Sequence, residues 1–423
     1  MNKEMMKALQ MATSKIPLQD LKFTLPFLTN NNLQSKFQQL QHEGYCVLDN
    51  VFDTNFISSL REEITIAKEM DAMDINHTHL ILPSDETKVF PKHNIYELDS
   101  MVKPDLITSD TLKNCNFINT DNTMKQMIDK YIPNLGILNG ISPLKLQYNG
   151  GNNACFPIHT DASLIVGKPA EKHFKNFAAE STDHRIITAI IYMNDYEPQQ
   201  GGELRLYPIL QDPVDISPIR GRVVLFSSTT MLHRVLPSTI NNNQQNNRMC
   251  ATIWFHGDNS FNGVINKRQN LVPKPLPEDA NPVETALFLL QPYYRPFTCR
   301  MLYANEWEES IVQSHQSNGS NSEAIDILVD NHDKNVKYIA KTFHTLLPKL
   351  NDGLIELQNA RLAALHEQKK RTTNNNNNNQ NKHPHLRQNV ADIGGGGGGS
   401  SGEDDGEGEE YFPPLPGVLD WLV

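Results

Sequence analysis

The clearest pattern along the chain is a series of short apolar strands between residues 143 and 258. Turn-forming residues separate these segments, and none of the intervening stretches has the period of a helix. Several strands are apolar on both faces, so we expect one face to line an interior and the other to be covered. The pattern predicts a sandwich or an open barrel. The predicted strands are LKLQY, CFPIHTD, RIITAIIYMND, GGELRLYP, RVVLFSS, LHRVLPST and RMCATIWFHG.

Helical spacing flanks this β region on both sides. Before it, the spacing predicts helices over 37–42, 57–70 and 124–132, with GYCVLDNVF as a strand between the first two. Residues 71–120 have no clear pattern. After the β region, the spacing predicts helices over 283–291, 301–315, 336–347 and 354–365. These C-terminal helices either pack on the β region or form a small separate unit, and the pattern leaves both open.

Polar low-complexity tracts set the remaining boundaries. NNNQQNN occupies 241–247, NNNNNNQN occupies 374–381, and GGGGGGSSG occupies 394–402. Such tracts bury little apolar surface, so we expect loops or disorder there. The final YFPPLPGVLDWLV is aromatic, and we expect a frayed end rather than a docked one. The predicted regions are 1–32, an N-terminal extension; 33–142, a supporting strand and helix region; 143–258, the β domain; 283–371, a helical region; and 372–423, a tail.

Composition narrows the class of protein. Lys plus Arg is 38 and Asp plus Glu is 49, giving a formal net charge of −11, which does not favour a nucleic-acid binder. The five cysteines are scattered without a C-x-x-C pair, as expected in a reducing compartment. No apolar run is long enough for a membrane span, and the N-terminus has no continuous apolar segment typical of a secretory signal. We therefore expect a cytoplasmic or nuclear protein. Nothing in the pattern indicates its oligomeric state.

The segment FPIHTD carries the chemistry. His159 and Asp161 are two residues apart on a predicted strand, so both side chains should leave the same face. His233, on the predicted strand LHRVLPST, offers a third ligand. Two histidines and one carboxylate on one side of a metal are typical of non-haem Fe(II) oxygenases, and they leave positions open for other ligands. H-x-D alone is a weak signal, so the interpretation depends on its companions.

The companion is Arg248, which opens the strand RMCATIWF fifteen residues after His233. A guanidinium aimed into an interior must be paired, and a dicarboxylate ligand would supply the partner through a two-pronged contact. Tyr192, on the face shared with Thr188 and Ile190, and Tyr148, at the end of LKLQY, are candidate donors to the same carboxylate. The alternative for both is a core tyrosine with a satisfied hydroxyl.

Taken in order, LKLQYNGG, FPIHTD, ITAIIYMND, GGELRLYP, RVVLFSS, LHRVLP and RMCATIWF resemble the catalytic domain of 2-oxoglutarate and Fe(II)-dependent dioxygenases, specifically the prolyl 4-hydroxylase-like group. GYCVLDNVFDTNFISSLREEI is similar to the N-terminal strand and helix of that group. The resemblance covers residues 40–257. It implies an α+β protein with a mainly β core, a double-stranded β-helix of the jelly-roll or cupin type flanked by N-terminal helices, with a C-terminal helical region and a disordered tail.

The resemblance also implies roles. His159, Asp161 and His233 would bind Fe(II), Arg248 would bind the far carboxylate of 2-oxoglutarate, and Tyr192 and Tyr148 would assist. Oxygen is the cosubstrate, with L-ascorbate as an accessory, and the product is a hydroxylated C–H bond with succinate and CO2. Two insertions depart from the group. NNNQQNN lengthens the spacing before Arg248, and residues 168–184 form an expected surface loop that is a candidate cover for the substrate mouth.

The resemblance favours hydroxylation of a prolyl residue in an intracellular protein, with a protein or peptide as partner and neither nucleic acid nor membrane. Alkylation-repair demethylases share the triad, but they carry a second arginine where this chain has Trp254. A small-molecule hydroxylase of the same superfamily is one alternative, because substrate contacts lie in variable loops. The other is a non-catalytic barrel that acts as a binding module.

Overall fold

The computed structural model describes residues 3–18, 32–81, 86–135, 137, 142–162, 185–239, 247–257, 276–291, 294–316 and 322–380. The expected loop at 168–184, most of the Asn/Gln tract at 241–247, and the tail from 381 onward lie outside these residues. The helices are α1 Lys3–Thr13, α2 Leu33–Glu43, α3 Thr54–Glu69, α4 Lys113–Thr120, α5 Thr123–Tyr131, α6 Pro282–Leu289, α7 Arg295–Leu302, α8 Ala304–His315, α9 Ser322–Thr342 and α10 Leu347–Gln380.

Two antiparallel sheets form the centre of the molecule. The major sheet has the strand order β1-β9-β6-β11-β4-β3-β2, and the minor sheet has the order β5-β10-β7-β8. The strands are β1 Tyr45–Leu48, β2 Asp74–Ile81, β3 Thr87–Asp99, β4 Leu144–Asn149, β5 Phe156–His159, β6 Arg185–Tyr192, β7 Leu204–Tyr207, β8 Val214–Ile216, β9 Val223–Ser227, β10 Leu232–Val235 and β11 Arg248–His256. Each segment predicted as a strand between 143 and 258 contains one, although the strand in CFPIHTD ends at His159, and β8 is an addition.

The two faces of the major sheet bury different sets of side chains because residues alternate along a strand. On β6, Ile187, Ala189 and Ile191 pack outward in the large apolar cluster that contains Leu60 and Ile64 of α3. Ile190 and Tyr192 of the same strand pack inward, toward the minor sheet. The doubly apolar sequence RIITAIIY is therefore explained by a helical cover on one face and the second sheet on the other.

Residues 71–120, where the sequence gave no prediction, contain the hairpin of β2 and β3 and the short helix α4. The hairpin extends the major sheet because β3 pairs with β4. A register shift between Ile75 and His77 interrupts the alternation of β2. This bulge, together with the many polar side chains of β2, removes the period that would have predicted a strand.

The C-terminal helices pack on the β region, the first of the two open alternatives. On α8, Ser310 accepts a hydrogen bond from the backbone N–H of Ile158 at 3.0 Å. Glu306 accepts from the Tyr207 hydroxyl at 2.6 Å and from Arg205 at 3.0 Å. Arg234 of β10 lies 3.8 Å from the same carboxylate. Glu306 thus joins α8 to two strands of the minor sheet.

The C-terminal helices show the clearest differences between predicted and observed helix boundaries. The predicted helix 301–315 is divided at Tyr303 between α7 and α8, and the predicted helix 336–347 lies mostly in the longer α9. The helix α10 continues to Gln380, past Arg371, where the sequence placed the start of the tail. No helix in the described part of the chain is long and apolar enough to cross a membrane.

We expect Glu306→Ala to lower the free energy of unfolding by about 1–3 kcal/mol, because it removes the acceptor of the Tyr207 hydroxyl and the carboxylate that lies 3.8 Å from the buried Arg234. Denaturant unfolding measures the change. Glu308→Ala, a partly exposed glutamate on the same helix, is the matched control and should change stability by less than about 0.5 kcal/mol. Equal losses of stability in the two variants would contradict the role of Glu306 in joining α8 to the minor sheet.

Candidate metal and dicarboxylate site

The two histidines of the predicted triad lie side by side in the minor sheet. His159 ends β5, and it is the direct register partner of His233 on β10. Residues opposite each other in an antiparallel pair project from the same face, so both imidazoles point into the space between the sheets. Their ring centroids are 4.3 Å apart.

Backbone hydrogen bonds orient both imidazoles. Nδ1 of His159 lies 2.8 Å from the carbonyl oxygen of Pro157, and Nδ1 of His233 lies 3.1 Å from that of Met231. A carbonyl can only accept, so each Nδ1 carries the hydrogen and each Nε2 keeps a free lone pair. The same arrangement orients metal-bound histidines in proteins.

Asp161 lies beyond the end of β5, so the prediction that it shares a strand with His159 is wrong. The backbone leaves the minor sheet at His159 and approaches the major sheet, where the N–H of Ala162 donates to Ser228 at 2.9 Å. The Asp161 carboxylate nevertheless meets both rings: Oδ1 lies 3.6 Å from Nε2 of His159 and 3.7 Å from Nε2 of His233. The turn after the strand brings the carboxylate to the place that strand alternation was expected to give it.

Thr188, which the sequence did not select as a site residue, holds the other carboxylate oxygen. Its hydroxyl donates to Oδ2 of Asp161 at 2.7 Å and lies 2.8 Å from the hydroxyl of Ser228. Thr188 and Ser228 are fully buried. A buried hydroxyl on the same face as Tyr192 was the sequence signal, but its partner became visible only in three dimensions.

The protonation states suit a metal. Burial lowers the pKa of His233 to about 4, and the charge of His159 acts in the same direction. Burial alone would raise the pKa of Asp161, but His233, His159 and Thr188 together outweigh it and hold that pKa below its usual value. A neutral His233 and an ionised Asp161 are the forms that bind a metal.

The donor set therefore fits a metal ion. One ligand atom from each of His159, Asp161 and His233 can be chosen so that all lie within 4.8 Å of one another. Two imidazole nitrogens and one carboxylate oxygen on one side of an ion suit a divalent transition metal with further positions open.

Arg248 lies at the start of β11 and is fully buried. Its Nε donates to the carbonyl of Gly202 at 2.9 Å, and its Nη2 donates to the Tyr192 hydroxyl at 3.3 Å. Within the described residues no carboxylate lies within ion-pairing distance of its guanidinium. A buried cation without an anion is costly, so this arrangement is suited to an anionic ligand.

Gly202 permits this position of Arg248. Its φ is +80°, and a Cβ there would lie 3.2 Å from Cδ of Arg248. The turn therefore favours glycine for its backbone conformation and for the close approach of the arginine stem. The sequence predicted the tight turn at GGELRLYP but not the contact.

Tyr192 and Tyr148 have opposite outcomes. Tyr192 is fully buried in the apolar cluster between the two sheets, and its hydroxyl accepts from Arg248. Tyr148 packs with Leu144 and Leu146 in the large apolar cluster between the major sheet and the helices, and its hydroxyl accepts from Asn247. Its register partner on β11 is Met249, one residue from Arg248 and therefore on the opposite face. The placement of Tyr148 in the site is wrong.

We expect Thr188→Val to weaken metal binding by about tenfold, because it removes the hydroxyl that holds Asp161 while keeping the shape of the side chain. Titration with Mn(II) by calorimetry measures the change without turnover. Thr285→Val on α6 loses a hydrogen bond of similar length, 2.9 Å to Asn281, far from the site and should bind Mn(II) as the parent protein does. Unchanged affinity in Thr188→Val would contradict its supporting role.

Comparisons with known proteins agree with this geometry. Residues 145–256 match the family model of the 2OG-Fe(II) oxygenase superfamily. A prolyl 4-hydroxylase structure from Phytophthora capsici is 22% identical, with a TM-score of 0.55, over 81% of this chain and 100% of its own. No curated protein matches the chain.

Two further structures have lower scores. A Pseudomonas putida prolyl-4-hydroxylase is 17% identical with a TM-score of 0.39, over 53% of this chain and 99% of its own. A Trichoplax adhaerens prolyl hydroxylase, solved with a hypoxia inducible factor peptide fragment, is 18% identical with a TM-score of 0.38, over 60% of this chain and 98% of its own.

The matched segment contains the two histidines, the aspartate, Thr188, Tyr192 and Arg248. Residues 145–256 are therefore similar to the 2OG-Fe(II) oxygenase superfamily, and the fold of the chain is similar to that of a prolyl 4-hydroxylase.

Proposed function

We propose that this protein is a 2-oxoglutarate- and Fe(II)-dependent dioxygenase that hydroxylates a prolyl residue of a protein or peptide. The observation that carries the proposal is the presence, in the same interior, of three side chains that can bind a metal and of a buried Arg248 with no carboxylate at ion-pairing distance among the described residues. The facing sheets support the finer description of the core as a double-stranded β-helix.

His159, Asp161 and His233 would hold Fe(II), and Arg248 would hold the far carboxylate of 2-oxoglutarate. When bound, the metal and the cosubstrate supply the oxidising chemistry, in which 2-oxoglutarate becomes succinate and CO2 and one oxygen atom enters a C–H bond. The chain's own residues bind and orient. The guanidinium of Arg248 neutralises and aligns the anion, the Tyr192 hydroxyl beside it is a further donor, and the buried interior excludes water.

The substrate would approach from the side of His159. The side chain of His159 is 37% exposed, whereas that of His233 is 4% exposed and that of Asp161 is 11% exposed. The minor sheet therefore presents one ligand toward solvent and buries the other. A prolyl residue is the proposed target because the fold is similar to a prolyl 4-hydroxylase along the whole of that chain.

L-ascorbate is the proposed accessory reductant, and the cytoplasm or nucleus is the proposed location. In support of a reducing compartment, all five cysteines are free and buried. A small-molecule hydroxylase and a non-catalytic binding module are the alternatives, and the two experiments below separate them.

The first experiment measures peptide hydroxylation by mass spectrometry. Proline-containing peptide libraries incubated with Fe(II), 2-oxoglutarate, ascorbate and the protein should gain the mass of one oxygen atom at a prolyl residue. Asp161→Ala is the negative control, because it removes the ligand between the two imidazoles. Substrate-independent succinate formation without any modified peptide would favour a small-molecule hydroxylase. Absence of both succinate and metal-dependent 2-oxoglutarate binding would favour a binding module.

The second experiment tests Arg248 directly. Arg248→Lys keeps the charge but loses the two-pronged contact, so we expect 2-oxoglutarate affinity to fall by about tenfold or more. Calorimetry on Mn(II)-loaded protein measures the affinity. Arg222→Lys is the matched control, since Arg222 holds Asp49 at 2.6 Å on the surface. If Arg248→Lys bound 2-oxoglutarate as tightly as the control, Arg248 would not belong to the site.

A further inference from the structure

One buried side chain in the described part of the chain has polar atoms that the fold leaves unsatisfied beside the proposed cosubstrate pocket. Asn149, the last residue of β4, is fully buried, and neither its Oδ1 nor its Nδ2 has a hydrogen-bond partner among the described residues. An amide offers two donors and an acceptor, and burying all of them unpaired costs free energy. Native proteins rarely keep such a group, so it calls for a reason.

The strand register places Asn149 on the inner face. It lies opposite Arg248 on β11 and opposite Ile95 on β3. Directly opposed residues in antiparallel strands project from the same face. Ile95 belongs to the apolar cluster between the two sheets, together with Tyr192 and Cys250, which confirms that Asn149 is on the inner face.

Its neighbours on β4 are satisfied without a ligand. Gln147, two residues earlier on the same face, accepts from Sγ of Cys250 at 3.2 Å. Tyr148, on the outer face, accepts from Asn247. The unsatisfied groups on this strand are therefore those next to Arg248, which has no carboxylate at ion-pairing distance in the described part of the chain.

We propose that Asn149 is a cosubstrate-positioning residue, whose Nδ2–H donates to a carboxylate oxygen of the dicarboxylate that Arg248 holds. The inference rests on the proposed function, because it takes 2-oxoglutarate as the anion. The hydrogen bond from Asn149 would orient the carboxylate that the charge of Arg248 attracts. A neutral donor opposite the guanidinium favours an ionised carboxylate, whereas an acidic side chain at this position would repel it.

The test separates a ligand-binding role from a structural one by the sign of the stability change. Asn149→Leu replaces the amide with an apolar group of similar shape. If the amide serves a ligand, the melting temperature of the metal-free, cosubstrate-free protein stays the same or rises, because an unpaired buried group is removed. The dissociation constant for 2-oxoglutarate, measured by calorimetry on Mn(II)-loaded protein, should rise about tenfold.

Asn149→Asp is the second variant, with nearly the same shape and an added negative charge. It should bind 2-oxoglutarate at least tenfold more weakly than the parent protein, which tests the proposal even if the leucine variant does not fold. Asn119→Leu is the matched control. Asn119 is a buried asparagine on α4 whose Oδ1 also lacks a partner among the described residues, and its substitution should leave 2-oxoglutarate affinity unchanged.

The outcomes distinguish the two proposals. Loss of thermal stability in Asn149→Leu together with unchanged 2-oxoglutarate affinity in Asn149→Asp would overturn the role of Asn149 alone. Parent-like affinity in both variants would do the same. If the parent protein itself bound no 2-oxoglutarate in the presence of Mn(II), the proposed function would fail and this inference with it.

Discussion

The carboxylate of Asp161 is the contact on which the site depends, because its two oxygens face two different sheets. Oδ2 accepts from Thr188 of the major sheet, while Oδ1 faces the imidazoles of the minor sheet. The segment after β5 is fixed to the major sheet by the bond from Ala162 to Ser228. The spacing between the sheets is therefore set at the point where the proposed metal would bind.

The helical region after residue 276 supports the same point from outside. Ile158, next to His159, donates to Ser310 of α8, and Arg234, next to His233, lies against Glu306 of that helix. The inner face of the minor sheet thus carries the proposed ligands. Because successive side chains of a strand alternate between faces, Arg234, one residue from His233, projects from the outer face toward α8. Ser310 instead meets the backbone N–H of Ile158 at the open edge of β5. This is the arrangement expected when a site needs rigid support from the elements behind it.

The sequence predicted most of the β region and the triad for an identifiable reason. Strands that are buried on both faces consist mainly of apolar residues bounded by turn residues, and β6 and β11 are buried at every position but one. The hairpin of β2 and β3 was not predicted because a bulge breaks its alternation.

Among the site residues, Asp161 was assigned to the right cluster for the wrong local reason, since the strand ends two residues before it. Tyr148 was misplaced because the face of a residue near a strand end depends on cross-strand register, which a single sequence does not contain. Thr188 and Asn149 belong to no sequence motif. Thr188 is identified as a site residue by its contact with Asp161, and Asn149 by its lack of a partner among the described residues.

Two buried polar groups that the fold leaves unsatisfied, on Arg248 and Asn149, lower the stability of the protein beside the proposed pocket. Arg248 has no carboxylate within reach among the described residues, and Asn149 opposite it has no partner for either polar atom. The buried carboxylate of Glu63 differs, because its two oxygens accept from the backbone N–H groups of Asn114 and Cys115 at the start of α4. Real proteins break the rule of satisfied buried polarity mainly at functional sites. An anion bound between Arg248 and Asn149 would pair with the guanidinium and accept a hydrogen bond from the amide. The free-energy cost of burying these two groups unpaired would then be offset on binding, which raises the affinity for the anion. In that sense the pocket is prepared for a charged ligand before the ligand arrives.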